Sequence, residues 1–98
     1  MTYTIDVTDE AKEDLSYYTA FERKTIVTEI RAQLVHQPLM ETKNRKQLRN
    51  NPIATWELRV GMYRVFYEVD VTGQTVNIIS IGHKTHNTLW IRGQEVEL

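Results

Sequence analysis

The sequence predicts an α+β domain with the element order β-α-α-β-β-β, in which a helical pair packs on one face of an antiparallel sheet. Two patterns support this class. Apolar residues recur at helical spacing in the first part of the chain, whereas the second half carries three runs of alternating or continuous apolar, aromatic and β-branched residues. The chain has 98 residues, which leaves little room for a second domain. We therefore expect residues 1–98 to form one domain.

The first strand and the first helix are predicted at the N-terminus. Residues 3–7 alternate between apolar and polar side chains, which is typical of a half-buried strand. Thr8 is a favourable N-cap residue, and the acidic residues after it suit the positive end of a helix dipole. Ala11, Leu15 and Tyr18 recur at helical spacing, so we expect them to share one face of this helix.

The second helix is predicted to begin near Glu22, after a break near residues 19–20. Its apolar stripe consists of Ile26, Ile30 and Leu34. Pro38 disfavours helical geometry at the preceding residue and should end the helix. Residues 38–52 then form a connection that is rich in basic side chains.

Three strands are predicted in the second half of the chain. Residues 56–60 and residues 63–69 alternate in polarity on either side of a glycine-containing turn. Residues 76–81 are nearly continuous in apolar character, which is typical of a central strand covered on both faces. We expect this third strand to end at Gly82. A final short extended piece is predicted over residues 89–91.

The composition excludes several kinds of site. The chain has no cysteine, so it has neither a disulfide framework nor a thiolate metal site. It has no run of about 18 apolar residues that could form a membrane-spanning helix. The N-terminus lacks the basic region and the apolar run of a signal peptide. We therefore expect a cytoplasmic protein that has no membrane partner and needs no cofactor.

The formal net charge of −1 conceals an uneven distribution. Residues 1–42 carry four basic and eight acidic side chains, whereas residues 43–92 carry eight basic and three acidic ones. A nearly neutral total therefore permits a cationic surface of the kind that binds nucleic acid. Part of the excess lies in the connection before the strands, at Lys43, Arg45, Lys46 and Arg49. These side chains are either RNA contacts or a solvated charged loop, and the charge pattern alone favours neither.

Two arginines flank the turn between the first two strands of the second half. Regular pairing would place Arg59 and Arg64 at the same end of the sheet, and guanidinium groups bind phosphate through paired hydrogen bonds. The alternative is an ion pair with Glu57 or Glu68, which we favour for Arg59. Arg64 lies inside an otherwise apolar strand, where an arginine is costly unless it has an anionic partner. Phosphate binding is therefore at least an equal interpretation for Arg64.

A histidine and a lysine follow the third strand. His83 belongs to the residue type that exchanges protons near neutral pH, and the ammonium of Lys84 can stabilise the charge on a pentavalent phosphate. His86 is more simply interpreted as an exposed histidine. A metal site would need a further ligand, and His36 lies at the end of a distant helix. We therefore expect no metal site.

The two tryptophans could each stack on a nucleobase. Trp56 is the first inward residue of its strand, so a core position is the better interpretation for it. Trp90, between Leu89 and Ile91, fits either role.

Four segments carry a family resemblance that covers nearly the whole chain. They are residues 11–15, residues 48–52, the segment Trp56-Glu57-Leu58-Arg59-Val60-Gly61-Met62-Tyr63-Arg64-Val65-Phe66-Tyr67, and Ile81-Gly82-His83-Lys84. Together they resemble the RelE/ParE superfamily of bacterial toxin–antitoxin toxins. The resemblance implies the RelE-like microbial RNase fold, which has the element order predicted from the residues.

The resemblance also implies roles for individual residues. In ribosome-dependent RelE-type toxins, the arginine of the Tyr-Arg motif contacts the scissile phosphate, a basic residue after the third strand assists, and an aromatic residue six positions later stacks on the mRNA base. Those positions are held here by Arg64, Lys84 and Trp90. The best-studied RelE has two lysines where this chain has Thr55 and Glu57.

Other RelE-like toxins use a carboxylate and a histidine for the proton transfers, which implies Glu57 as the base and His83 as the acid. The function implied is a metal-independent, ribosome-dependent mRNA endoribonuclease that inhibits translation. Its implied partners are a cognate antitoxin, the ribosome and mRNA, with operator DNA bound only through the antitoxin complex. Two alternatives remain, namely a ParE-like DNA gyrase inhibitor and a non-catalytic relative that acts through antitoxin and operator binding.

Overall fold

The computed structural model describes residues 2–98. The elements in chain order are β1 (Thr4–Val7), α1 (Asp9–Leu15), α2 (Ala20–Leu34), β2 (Arg45–Gln47), β3 (Trp56–Val60), β4 (Tyr63–Asp70), β5 (Thr75–Thr85), β6 (Thr88–Ile91) and β7 (Gln94–Val96). The predicted α+β class, with two helices on one face of a sheet, is confirmed. None of the helices within residues 2–98 has the length and apolar character needed to cross a membrane.

Threonine caps determine where both helices begin. The Thr8 side chain accepts a hydrogen bond from the Ala11 N–H at the start of α1, as the sequence predicted. At α2, Thr19 accepts from the Glu22 N–H while the Glu22 carboxylate accepts from the Thr19 N–H. This reciprocal capping starts α2 at Ala20, slightly before the predicted position, because Glu22 is the third residue of the helix and not its first.

The sheet has the strand order β2-β3-β4-β5-β6-β7, with antiparallel neighbours along this path. β1 instead pairs in parallel with the first part of β5, which adds one parallel pair to the otherwise antiparallel sheet. β1 and β6 lie end to end along the same edge of β5. Between them, side chains of the first helical segment satisfy the β5 backbone: Thr8 Oγ1 donates to the Ile78 carbonyl, and Asp14 Oδ2 accepts from the Ile81 N–H.

The C-terminal region differs most from the prediction. β5 does not end at Gly82 but continues to Thr85, and the predicted extended piece becomes a hairpin of β6 and β7. Position 82 requires glycine because the backbone of β6 lies close to it, and not because the strand ends there. A Cβ at Gly82 would lie 2.4 Å from the Trp90 carbonyl oxygen. The basic connection also contains a short edge strand, β2, which sequence periodicity did not indicate.

Two apolar clusters lie on opposite faces of the sheet. The larger is sandwiched between the helices and the sheet and includes the predicted stripe of α2, together with Trp56, Leu58, Val65, Tyr67, Val76, Ile78 and Ile81. The smaller consists of Ala54, Phe66 and Leu89, with Ile79, Ile91 and Val96 packed against it. The β6–β7 hairpin therefore covers part of the face that the helices leave free. We call the uncovered remainder, which carries Glu57, Arg59, Arg64 and Lys84, the open face.

Candidate nucleic-acid interface

Strand register brings the charged residues of the open face together. Arg59 is the direct partner of Arg64 across β3 and β4, and Arg64 is the direct partner of Gly82 across β4 and β5. Directly paired residues project from the same face of a sheet. Glu57 and Lys84 lie two residues from Arg59 and Gly82 along their own strands, so they share this face. Arg59, Arg64 and Lys84 form what we call the cationic row.

Alternation along β3 explains why the row lies on this face. Trp56, Leu58 and Val60 are buried in the cluster beneath the helices. Because successive side chains of a strand point to opposite faces, the residues between them must point away from the helices. The hydrophobic pattern that buries the core therefore also directs Glu57 and Arg59 onto the open face.

Glu57 is a buried carboxylate between two guanidinium groups. Its side chain is 2% exposed, its Oε1 lies 3.2 Å from Arg59 Nε, and the same oxygen lies 3.8 Å from Arg64 Nε. The pairing with Arg59 is the ion pair that the sequence favoured. One carboxylate cannot neutralise two arginines, and Lys84 adds a third cation on this face. These four residues therefore carry a net positive charge, although the chain as a whole is nearly neutral.

Arg64 is fixed by the turn that precedes it. Its Nη1 donates to the carbonyls of Gly61 and Tyr63, at 2.8 and 2.9 Å. Its Nε is buried and has no hydrogen-bond partner among the described residues, because 3.8 Å to Glu57 is an ion-pair distance and too long for a hydrogen bond. Burial lowers the pKa of Arg64, the charge of Glu57 raises it and that of Arg59 lowers it further. A guanidinium still remains protonated in proteins. Arg64 is therefore an oriented, incompletely paired cation.

Lys84 lies beside the same turn. Its backbone N–H donates to the Met62 carbonyl at 2.8 Å. This hydrogen bond joins the C-terminal end of β5 to the turn between β3 and β4. The Lys84 side chain lines a shallow groove together with the acidic residues Glu95 and Glu97. Lys84 therefore shares the open face with Arg59 and Arg64, since its cross-strand partner Leu89 belongs to the apolar cluster on that face.

His83 projects from the other face of the sheet. It is the direct partner of Tyr63 in β4 and of Trp90 in β6, while its neighbour Gly82 is the partner of Arg64. Because the side chain of β5 changes face at each residue, His83 and Arg64 point to opposite sides. The expectation that His83 follows the strand end at Gly82 and acts as the acid at a phosphate bound by Arg64 is therefore corrected. A strand that continues to Thr85 fixes the face of His83, whereas a frayed end would not have done so.

The surroundings of His83 are aromatic. Its Nδ1 lies 2.7 Å from the hydroxyl oxygen of Tyr18, and the two rings meet edge to face with centroids 5.7 Å apart. Tyr18 packs in the same way on Tyr63, whose hydroxyl donates to Glu22. Burial raises the pKa of Tyr18 to about 12, assisted by the charges of Asp14 and Glu22. The hydrogen bond to Glu22 raises the pKa of Tyr63 to about 12 and lowers that of Glu22.

The sequence analysis did not predict the hydrogen bond between Tyr18 and His83. The spacing of Tyr18 from Ala11 and Leu15 assigned it to the core-facing side of the first helix, but α1 ends at Leu15 and Tyr18 lies in the following turn. No local pattern indicates that a residue in this turn meets His83, which lies far along the chain. Only the docking of the helical pair on the sheet brings them together.

Trp90 lies on the same face as His83. Its Nε1 donates to Thr85 Oγ1 at 3.1 Å, and its ring is partly exposed. The structure thus pairs Trp90 with His83 and separates both from the cationic row. Trp56, by contrast, is buried and stacks on Tyr67 with ring centroids 6.0 Å apart, which places it in the core as predicted.

The basic connection divides into one buried and three exposed side chains. Arg45 is buried, and its Nη1 donates to the Gln33 carbonyl near the end of α2. This contact removes Arg45 from the surface, so its placement as an RNA contact is corrected. The exposed side chains are Lys43, Lys46 and Arg49. His36 and His86 are also exposed, and residues 2–98 contain no cluster of three or more metal-ligating side chains.

Solved structures with the same fold identify the class of this protein. A chain of the RelBE2 toxin–antitoxin complex from Mycobacterium tuberculosis is 28% identical, with a TM-score of 0.74 over 86% of this chain and 100% of that chain. A variant of RelE from Escherichia coli, solved in the free state, is 25% identical, with a TM-score of 0.64 over 85% of this chain and 84% of that chain. The archaeal RelE–RelB complex from Pyrococcus horikoshii has a chain of like fold, 20% identical, with a TM-score of 0.68 over 88% and 99% of the two chains. These are toxins of the RelE/ParE superfamily.

The family match covers most of the chain. Residues 5–88 match the profile of the family described as the ParE toxin of type II toxin–antitoxin system, parDE. The chain belongs to this family, and it is therefore a toxin of a type II toxin–antitoxin system. Among curated proteins, no sequence matches the chain.

Proposed function

We propose that this toxin is a ribosome-dependent mRNA endoribonuclease that inhibits translation and is neutralised by a cognate antitoxin. The observation that carries this proposal is the cationic row. It consists of three cations on one sheet face, and the central one, Arg64, is 14% exposed, is oriented by two carbonyls and lies 3.8 Å from its only carboxylate partner among residues 2–98, Glu57. An incompletely paired, pre-oriented guanidinium suits a phosphate.

The proposed reaction is attack by a ribose 2′-hydroxyl on the adjacent phosphate, which releases the 5′ oxygen of the next nucleotide and needs no metal ion. Negative charge increases on the phosphoryl oxygens in the transition state. Arg64 and Lys84 would stabilise that charge from the open face, and Arg59 would add to the local field. Donors aimed in advance at developing charge commonly account for a large part of catalysis.

Glu57 is the proposed base. A general base at this step accepts the proton of the 2′-hydroxyl, and Glu57 is the carboxylate that lies between Arg59 and Arg64 on this face. The Glu57 side chain is 2% exposed and its Oε1 is paired with Arg59 and Arg64. A bound phosphate would therefore have to draw these arginines away before Glu57 can accept a proton. The ammonium group of Lys84 lies on this face, and we assign Lys84 as the proton donor to the leaving 5′ oxygen. His83 lies on the other face, so we assign it with Trp90 to the neighbouring nucleotide.

The family and the cationic surface of the protein indicate three partners, namely the ribosome, its bound mRNA and an antitoxin. The ribosome and its bound mRNA suit a modest cationic surface, since a substrate already held by the ribosome need not be captured from solution. Lys43, Lys46 and Arg49 are exposed beside β2 and would contact the RNA backbone. The relatives from Mycobacterium tuberculosis and Pyrococcus horikoshii were solved as complexes of toxin with antitoxin. We propose the same kind of partner here, with operator DNA bound only through that complex.

A gyrase inhibitor is the second candidate, because the matching family is described by its ParE toxin. Pulse labelling after induction separates the two functions. We expect incorporation of amino acids to stop before incorporation of thymidine, and primer extension to show new mRNA ends within translated codons. If thymidine incorporation stops first, DNA breaks accumulate and mRNA ends are unchanged, the gyrase function replaces the nuclease. Normal growth on expression without antitoxin would support the non-catalytic alternative.

A further inference from the structure

We propose that Tyr18 is a positioning residue for His83: its hydroxyl holds the neutral imidazole with the proton on Nε2, so that His83 presents a hydrogen-bond donor to the nucleotide stacked on Trp90. The assignment of this donor to RNA rests on the proposed function, whereas the assignment of the imidazole tautomer does not.

The hydrogen bond between Tyr18 and His83 determines which ring nitrogen carries the proton. Tyr18 Oη and His83 Nδ1 are 2.7 Å apart. The Tyr18 hydroxyl is protonated at neutral pH, as tyrosines ordinarily are, and burial raises its pKa further, to about 12. Among residues 2–98, the hydroxyl has no other acceptor to which it donates. We assign the hydroxyl as the donor to Nδ1, and a neutral imidazole that accepts at Nδ1 carries its hydrogen on Nε2.

Ring packing restricts the orientation as well as the tautomer. The Tyr18 ring contacts both Tyr63 and His83 edge to face, with centroids 5.5 and 5.7 Å away. The Tyr63 hydroxyl is in turn tied to Glu22 in the first turn of α2. A ring bonded at one nitrogen and packed at its edge has little freedom to rotate, which lowers the entropy cost of any further hydrogen bond at Nε2.

The position of His83 indicates what Nε2 would contact. No hydrogen bond of the described residues uses this nitrogen, and the imidazole is partly exposed. Its direct cross-strand partner is Trp90, whose ring lies on the same sheet face. A flat indole beside one fixed N–H donor suits an unpaired nucleobase, which stacks on the ring and offers an acceptor at its edge. The phosphate site at Arg64 lies across the sheet, so this donor serves a base and not the scissile phosphate.

The tautomer can be tested without any activity. Chemical shifts of ¹⁵N-labelled histidine distinguish Nδ1–H from Nε2–H, and the exposed His36 and His86 provide internal references. We expect wild-type His83 to show Nε2–H at alkaline pH, where the tautomer of the neutral ring is read, and Tyr18→Phe to shift it towards the mixed population of the references. Tyr18→Phe retains the ring, so the packing is preserved, and the exposed Tyr17→Phe is the matched control. Nδ1–H in the wild type, or an unchanged pattern in Tyr18→Phe, overturns the proposal.

The contact between the Nε2–H group of His83 and the RNA base is tested by cleavage of mRNA on programmed ribosomes. Losing one hydrogen bond of about 1 kcal/mol corresponds to roughly fivefold. We expect Tyr18→Phe and His83→Ala to lower cleavage by at least this factor and to weaken the base preference beside the cut. His83→Gln keeps an N–H donor near the Nε2 position, so it should retain part of the cleavage activity and of the base preference that His83→Ala loses. Equal cleavage by all variants rejects the RNA assignment. Absence of cleavage by the wild type rejects the nuclease function, while the ¹⁵N shifts still decide the tautomer.

Discussion

Arg92, in the turn of the C-terminal hairpin, forms an ion pair with Asp14 at the end of α1, with 2.9 Å between Nε and Oδ1. The geometry is that of a close ion pair and not of an aligned hydrogen bond. Asp14 is buried, and its other oxygen accepts from Ser80 and from the Ile81 N–H. Arg92 thus connects the hairpin that carries Trp90 to the helix that satisfies the unpaired part of β5.

We predict that Arg92→Ala destabilises the protein by about 2 kcal/mol. Removing one partner of a fully buried ion pair costs roughly 3–5 kcal/mol, because the remaining charge is left unpaired. The Arg92 side chain is 36% exposed, so water screens part of this cost. The measurement is urea unfolding followed by circular dichroism. Glu13→Ala removes the exposed partner of the same arginine, at 3.3 Å, and should change the free energy of unfolding by less than about 1 kcal/mol. Equal losses from both variants would show that Asp14 does not depend on Arg92.

We predict that Arg64→Ala abolishes toxicity while the fold remains. One charged donor to a transition state contributes about 2.7–4 kcal/mol, or roughly 10²–10³ in rate. Toxicity is measured by growth after graded induction, and folding by thermal melting. Arg49→Ala, an exposed arginine of the basic connection, is the control and should reduce toxicity far less. A folded Arg64→Ala protein that arrests growth at the wild-type dose would make Arg64 a structural residue only.

We predict that Glu57→Gln lowers single-turnover cleavage of programmed ribosomes by about 10²–10⁴-fold, the usual contribution of a general base. Glutamine keeps the size of the side chain and an oxygen near Arg59, so the change tests the proton transfer more than the packing. Thr55→Ser, an exposed position two residues earlier in the chain, serves as the control. Cleavage within a few-fold of wild type would leave charge stabilisation by Arg64 and Lys84 as the whole mechanism.

We predict that stability decreases between about pH 10 and 12. Tyr18 and Tyr63 have folded-state pKa values raised to about 12, from about 10 in the unfolded chain. A group with a raised folded-state pKa contributes fully below its unfolded pKa, and the contribution disappears as pH rises through the folded value. The measurement is urea unfolding across this range, with tyrosinate absorbance recorded in parallel. Tyr18→Phe should make the decrease shallower, and the exposed Tyr17→Phe should leave it unchanged. A decrease equally steep in Tyr18→Phe would exclude Tyr18 as one of its sources.

The sequence by itself determined the fold class, the capping of α1 by Thr8, the apolar stripe of α2 and the core position of Trp56. These features depend on local periodicity and on residue types with strong local preferences. Alternation in β3 also determined that Glu57 and Arg59 lie on the face opposite Trp56 and Leu58, whereas the strand register added Arg64 to that face.

Only the tertiary structure decided the face of His83, the burial of Arg45 and the meeting of Asp14 with Arg92. The face of His83 depends on whether β5 ends at Gly82 or continues, and that is decided by its pairing with β6, a contact that no local pattern encodes. Arg45 is buried because the connection packs against the end of α2. A side chain's role in such cases is set by partners that are distant in the chain, and local sequence preference carries no information about them.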